Sequence, residues 1–228
     1  MTAHPLVGIR ACVFDAYGTL FDVASAARRA ADDLGDAATA LAALWRDKQL
    51  QYSWLRAVQG RHTDFWQVTG DALDFALDAM GLVDHDRRHR LMQLYRELDA
   101  YPEAAGTLQR LRTAGLPTAI LSNGTSDMLA AAVAHAGLGG LFDHVLSVEE
   151  VGVYKPHPRV YQFALDRLRL RAPEIAFVSS NGWDGWAAAA FGLRAIWCNR
   201  QGQPHERLPG APAAEIRSLA ELPPLLGC

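Results

Sequence analysis

Ala11-Cys12-Val13-Phe14-Asp15-Ala16-Tyr17-Gly18-Thr19-Leu20 is the stretch from which the rest of the chain can be read. An apolar run stops abruptly at an acid, and Gly18 follows, so the run reads as a buried strand whose last step enters a turn. Similar runs recur. Pro117 to Leu121 stops at Ser122-Asn123-Gly124, His144 to Leu146 near Ser147, Ile175 to Val178 at Ser179-Ser180-Asn181-Gly182, and Arg194 to Trp197 at Cys198-Asn199. Helical patterns lie between them: Leu108 and Leu111 after Pro102, Met128 to Ala136 before Gly137, and Val160, Phe163, Ala164 and Leu168 after Pro158. Prolines stand at helix starts and glycines at ends, as helix chemistry favours. Strand and helix alternate, which predicts an α/β fold built on a doubly wound parallel sheet.

The stretch 21–98 departs from this rhythm and carries helical periodicity with almost no strand signal. Leu41, Leu44, Trp45, Tyr52 and Leu55 fit one apolar stripe; Leu73, Ala76, Leu77 and Met80 fit another that Gly81 would stop; Leu91, Leu94, Tyr95 and Leu98 fit a third. The reading is a helical cap domain over 21–98, inserted after the first strand into a Rossmann-like core of 1–20 and 99–228. Inserted there, it would sit over the carboxyl ends of the strands, where open parallel sheets bind ligands. Gln201 to Pro212, rich in glycine and proline, reads as an exposed loop.

Composition sets the outer limits. The 228 residues are half hydrophobic, enough for a core domain with an appendage and no need of staples. Cys12, Cys198 and Cys228 have neither paired nor metal-ligand spacing, and no signal peptide is evident, so a soluble cytoplasmic protein with free thiols is expected. A net charge of −3 with scattered basic residues gives no footprint for nucleic acid, and no apolar run is long enough to span a bilayer.

Asp15, Ser122, Lys155, Asn181 and Asp184 fall at or just after successive predicted strand ends, so one sheet edge would collect them all. Each has an ordinary alternative: Asp15 and Asp184 as turn formers or helix caps, Lys155 as a surface charge.

The stretch Phe14-Asp15-Ala16-Tyr17-Gly18-Thr19-Leu20 resembles the first motif of the haloacid dehalogenase superfamily, and Leu121-Ser122-Asn123-Gly124 resembles the second. Lys155-Pro156 with Tyr161 is similar to the lysine motif, and Ser179-Ser180-Asn181-Gly182-Trp183-Asp184 to the last motif as dehalogenases carry it. The resemblance runs over essentially the whole chain, with the motifs in the right order around an insertion of cap size. Phosphatases of the superfamily usually place a second Asp, as general acid and base, where this chain has Tyr17. Expelling an alkoxide benefits from a proton donor, whereas a halide leaves unprotonated and needs only stabilisation of its charge. Within the superfamily the chain resembles the 2-haloacid dehalogenases, since Trp45-Arg46-Asp47-Lys48-Gln49-Leu50 and Tyr52-Ser53-Trp54-Leu55-Arg56 look like that family's signature helix.

This resemblance implies a set of roles. Asp15 would attack the halogen-bearing carbon as a covalent nucleophile, with inversion, and give an aspartyl ester. Arg46 and Asn123, with Trp183 at the edge, would receive the halide. Thr19, Ser122 and the backbone amides around Ala16 and Tyr17 would hold the substrate carboxylate or Asp15. Lys155, Ser179, Asn181 and Asp184 would serve ester hydrolysis, Asp184 either accepting a proton from water or holding Lys155. Phe65 and Trp66 on the cap, with Tyr17 and Trp183 on the core, would wall a small apolar fragment, core packing being the alternative for each, and Tyr161 would be among the residues that bind substrate or halide. No cofactor or metal is implied, because Asp15 and Asp184 with Lys155 beside them offer too little negative charge for a hard cation. The implied partners are a short 2-haloacid of L (S) configuration, the released halide and a second copy in a homodimer. Two rivals stand beside this reading: a magnesium-dependent phosphatase of a small metabolite, and a binding relative without turnover.

Overall fold

The computed structural model describes residues 6–228; the first five residues of the expected core lie outside them. The sheet has six parallel strands, β1 (Ala11–Phe14), β2 (Thr118–Ser122), β3 (His144–Ser147), β4 (Ile175–Ser179), β5 (Arg194–Cys198) and β6 (Ala214–Ile216), in the order β3-β2-β1-β4-β5-β6. Strands β1, β2 and β4 are buried along their whole length, the reason each is an unbroken apolar run in sequence. The short β6 follows the exposed loop and was not foreseen.

Chain order runs outward from β1 through β2 to β3, then returns to the other side of β1 for β4 and continues to β6. The reversal leaves a crevice between β1 and β4 at the carboxyl ends of the strands, the usual ligand position in such sheets. Phe14 is in register with Val178, and the Asp15 amide donates to the Val178 carbonyl at 2.9 Å, so Asp15 emerges beside Ser179 at that crevice.

Between β1 and β2 lie α1 (Ala24–Arg29), α2 (Ala31–Leu34), α3 (Ala37–Gln59), α4 (Phe65–Met80) and α5 (His85–Arg96). Helix α3 packs chiefly on α4. It ends at Gly60, whose φ of +64° a side chain would strain, and α4 opens with Asp64 accepting from the Gln67 amide at 2.8 Å. The stripe expected on α3 needs correction. Leu41 and Trp45 are buried, but the face continues through Gln49 and Ser53, whereas Leu55 is 49% exposed. Tyr52 packs against the core beside this face, and the polar pair on it is tolerated because hydrogen bonds inside the helical layer satisfy it.

The insertion leaves and rejoins the core at one place. Phe21 and Ala100 form an antiparallel bridge, the Asp22 amide donates to the Asp99 carbonyl at 2.8 Å, and the Tyr101 amide to the Leu20 carbonyl at 2.9 Å. The remaining helices, α6 (Ala104–Thr113), α7 (Ser126–His135), α8 (Pro158–Leu168), α9 (Gly182–Phe191) and α10 (Leu222–Leu225), belong to the core.

Candidate active site

Asp15 is buried at the end of β1, and four side chains converge on it. Lys155 Nζ donates to Oδ1 at 3.0 Å; Asn181 Nδ2, the Thr19 hydroxyl and the Ser179 hydroxyl approach Oδ2 at 2.7, 3.2 and 3.4 Å. Asn181 occupies the N-cap position of α9 yet makes no side-chain cap, because its amide is turned to Asp15 and to the Tyr17 carbonyl at 3.0 Å. Forgoing a cap costs a helix on the order of 1 kcal/mol, a loss tolerated where the amide is needed elsewhere. Thr19 ties the first and last motifs together by accepting from the Ser180 amide at 2.8 Å.

Lys155 is 1% exposed and lies between two carboxylates, with Asp184 Oδ2 at 2.8 Å on its far side. Burial works against its charge, but Asp15 and Asp184 outweigh it, so the ammonium is held above its ordinary pKa. Burial pushes the Asp184 carboxyl up against the pull of Lys155. Tyr161 donates to Asp184 Oδ1 at 2.7 Å, so both oxygens of Asp184 are engaged. Asn123 Oδ1 accepts from the Lys155 backbone amide at 2.9 Å, fixing the lysine loop to the end of β2. The Ser122 hydroxyl accepts from the Gly124 amide at 3.1 Å, shaping that turn.

Tyr17 projects across the second motif. A Cβ at Gly124 would lie 2.8 Å from its hydroxyl, so glycine is what lets the ring in. The ring stacks on Tyr95 with centroids 5.5 Å apart and tilts against Phe65 at 6.0 Å, which joins core to cap through aromatic contact. Burial, then the neighbouring Tyr95, raises its phenol well above the ordinary range. The hydroxyl is buried without a hydrogen-bond partner in the structure.

The cap supplies Arg46, on the third turn of α3, with Nη2 3.4 Å from Asn181 Oδ1. Phe65 opens α4 close by, its amide donating to Glu149 at 3.2 Å across the interface with the core. Trp183 stands further out, half-buried, edge-on to Trp54 of the cap at 5.4 Å. Sequence reasoning passed over the roles of Gln49, which accepts from Arg46, and of Thr69 and Tyr95, which hold Gln49. A polar residue four positions after Trp45 on a buried stripe was the available signal for Gln49.

A carboxylate held ready at a switch point beneath a helical lid is the equipment of a capped α/β hydrolase that attacks its substrate directly. Residues 9–192 match the family model of the haloacid dehalogenase-like hydrolases. The chain is 51% identical over 219 residues to (S)-2-haloacid dehalogenase 1 of Pseudomonas sp. strain CBS-3, covering 96% of each chain. It is 50% identical to (S)-2-haloacid dehalogenase 4A of Burkholderia cepacia, over 96% of this chain and 95% of that one. The L-2-haloacid dehalogenase of Xanthobacter autotrophicus, solved with chloropropionic acid covalently bound, superposes with a TM-score of 0.90 at 40% identity, covering 96% of this chain and 98% of that one. The chain belongs to the haloacid dehalogenase-like hydrolases and, within them, to the (S)-2-haloacid dehalogenases.

Proposed function

We propose that this protein hydrolyses short L-2-haloacids and haloacetates to 2-hydroxy acids through an ester on Asp15. The observation that carries the reading is the Asp15 carboxylate itself, held at both oxygens by Lys155, Asn181, Thr19 and Ser179 with the Arg46 guanidinium beside Asn181. Held in this way, an Asp15 oxygen bonds to the substrate carbon from behind while the carbon–halogen bond breaks, and the halide takes the bonding pair. Arg46, Asn123 and Trp183 are read as its receivers, in a sheltered site where such donors act more strongly than in water. Thr19, Ser122 and the amides of Ala16 and Tyr17 are assigned to holding the substrate carboxylate or Asp15, and Phe65 with Tyr17 to walling its alkyl part.

Water then adds to the Asp15 carboxyl carbon, and the bond from that carbon to the alkoxy oxygen breaks, the alkoxy oxygen taking one proton of the water while the other is released to solvent. The product leaves with an oxygen that began on Asp15, and Asp15 keeps the oxygen of water. Ser179 and Asn181 lie within reach of that carbon's oxygens and are read as orienting the water. Asp184, with both oxygens engaged by Lys155 and Tyr161, fits the holder of Lys155 better than the acceptor of a proton from water. No cofactor is invoked. Lys155 Nζ already bridges the two carboxylates that a cation would otherwise share, which supports a metal-free reaction.

Residues 21–98 are read as a cap domain on a core of 1–20 and 99–228. Exposed Leu55, Val58 and Phe75 on the cap support a homodimer. Among the described residues no helix is long and apolar enough to cross a membrane, and the three free cysteines suit the cytoplasm.

Incubation with L-2-chloropropionate and chloroacetate in EDTA is expected to release chloride. Phosphate-ester turnover restored by magnesium, with no chloride, would replace this reading with the phosphatase. Binding of the acid without any product would replace it with a non-catalytic relative.

A further inference from the structure

Gln49 lies on the buried face of α3, one turn after Arg46, and is almost fully enclosed although it carries an amide. Burying an amide between helices is costly unless its donors and acceptor are used. Nε2 donates to the Thr69 hydroxyl at 2.7 Å, and Oε1 accepts from Arg46 Nη1 at 2.7 Å and from the Tyr95 hydroxyl at 3.1 Å. The amide can sit only one way round. Thr69 donates its own proton to the Phe65 carbonyl at 2.6 Å, so toward Gln49 it must accept, and the carbonyl oxygen of Gln49 is thereby turned to Arg46. The Thr69 carbonyl is pinned in turn by Trp45 Nε1 at 2.8 Å.

Arg46 also borders a small, mostly apolar cavity inside the cap, of about 20 Å³, with Val23, Leu34 and Leu41 in its wall. The apolar wall on that side offers the guanidinium no acceptor, so among the described contacts its hydrogen bonds run to Gln49 and Asn181. We infer that Gln49 is a positioning residue: its carbonyl oxygen, oriented by Thr69, holds the Arg46 guanidinium on the line along which the halide departs. As a neutral acceptor it does so without cancelling the arginine's charge, which a glutamate there would do. The inference rests on the reading that Arg46 receives the halide.

The test uses Gln49→Met and the nearly isosteric Thr69→Val, with Arg46→Ala as reference, on L-2-chloropropionate and L-2-bromopropionate. Ester formation, read as the first burst of halide, is followed separately from ester hydrolysis. Gln49→Met is expected to slow ester formation from the chloro acid by about 10- to 100-fold. The loss should be smaller with the bromo acid, whose halide needs less help to leave, and the rate of ester hydrolysis and the dissociation constant of the substrate should change little. Thr69→Val should shift the same quantities in the same direction by a smaller factor. Unchanged rates in both variants overturn the inference, and so does a slowing that is equal for both halogens and both steps, which is what a merely structural role would give. If Arg46→Ala keeps full chloride release, the assignment of Arg46 fails and this inference with it; if Arg46→Ala is inactive beside normal Gln49 and Thr69 variants, the inference fails alone.

Discussion

Asp15→Asn is expected to abolish halide release from L-2-chloropropionate, to below about one part in 10⁴ of the unmodified rate. The amide is close in size to the carboxylate and keeps an oxygen for the Lys155 ammonium, so the fold should survive and the loss should be chemical. What disappears is the nucleophile: an amide oxygen has neither the charge nor the basicity to displace chloride from carbon. Activity retained in this variant would mean that water attacks the substrate directly. Isotope labelling separates the two routes independently. In a single turnover in ¹⁸O-water the label should enter Asp15, read by mass spectrometry of its peptide, and the 2-hydroxy acid should stay unlabelled; label in the product would sink the ester route.

Lys155→Met is expected to lower both activity and stability. Methionine fills much of the same volume but leaves Asp15 and Asp184 facing each other in a buried site without the ammonium between them. Removing one partner from a buried ion cluster costs about 3–5 kcal/mol, so denaturant unfolding at pH 7 should show a loss of this order. Turnover should fall by roughly 10³-fold or more, since the charge that offsets the nucleophile is gone. The pH dependence distinguishes this cause from poor packing. Burial already raises the Asp184 carboxyl, and without the lysine one acid would take up a proton more readily, so the deficit should shrink as pH falls. In the unmodified protein the Lys155 pKa is raised. Its contribution is therefore complete below the ordinary lysine value of about 10.4 and is lost only as pH rises through the higher folded value. A deficit that does not vary with pH would identify a packing defect.

Much of this was legible in the chain because a strand buried on both faces leaves an unbroken apolar run, and β1, β2, β4 and β5 each left one ending at a polar turn. Strand β6 left none: it is short, lies at the sheet edge and reads Ala-Glu-Ile. The order of the motifs was readable, so Asp15, Lys155, Ser179, Asn181 and Asp184 could be named together. The burial of Lys155 was not, since composition alone cannot tell an enclosed lysine from a solvated one. The surroundings of Arg46 stayed hidden for a related reason. Gln49 and Thr69 sit 20 positions apart and satisfy one another through bonds that no apolar periodicity records, and the expected place of Leu55 on the buried stripe was the error that followed.

The stem where Leu20 to Asp22 runs beside Asp99 to Tyr101 bears on how such a molecule can change over evolution. Paired antiparallel residues stand only about 5 Å apart, so a tight turn would suffice to close the core with the whole helical insertion removed. A change of length between these two points therefore leaves the pairing of β1 with β2 and β4, and so the position of the nucleophile, as it is. The scaffold then fixes the nucleophile, while the insertion brings the wall around the substrate and, through Arg46, a share of the chemistry.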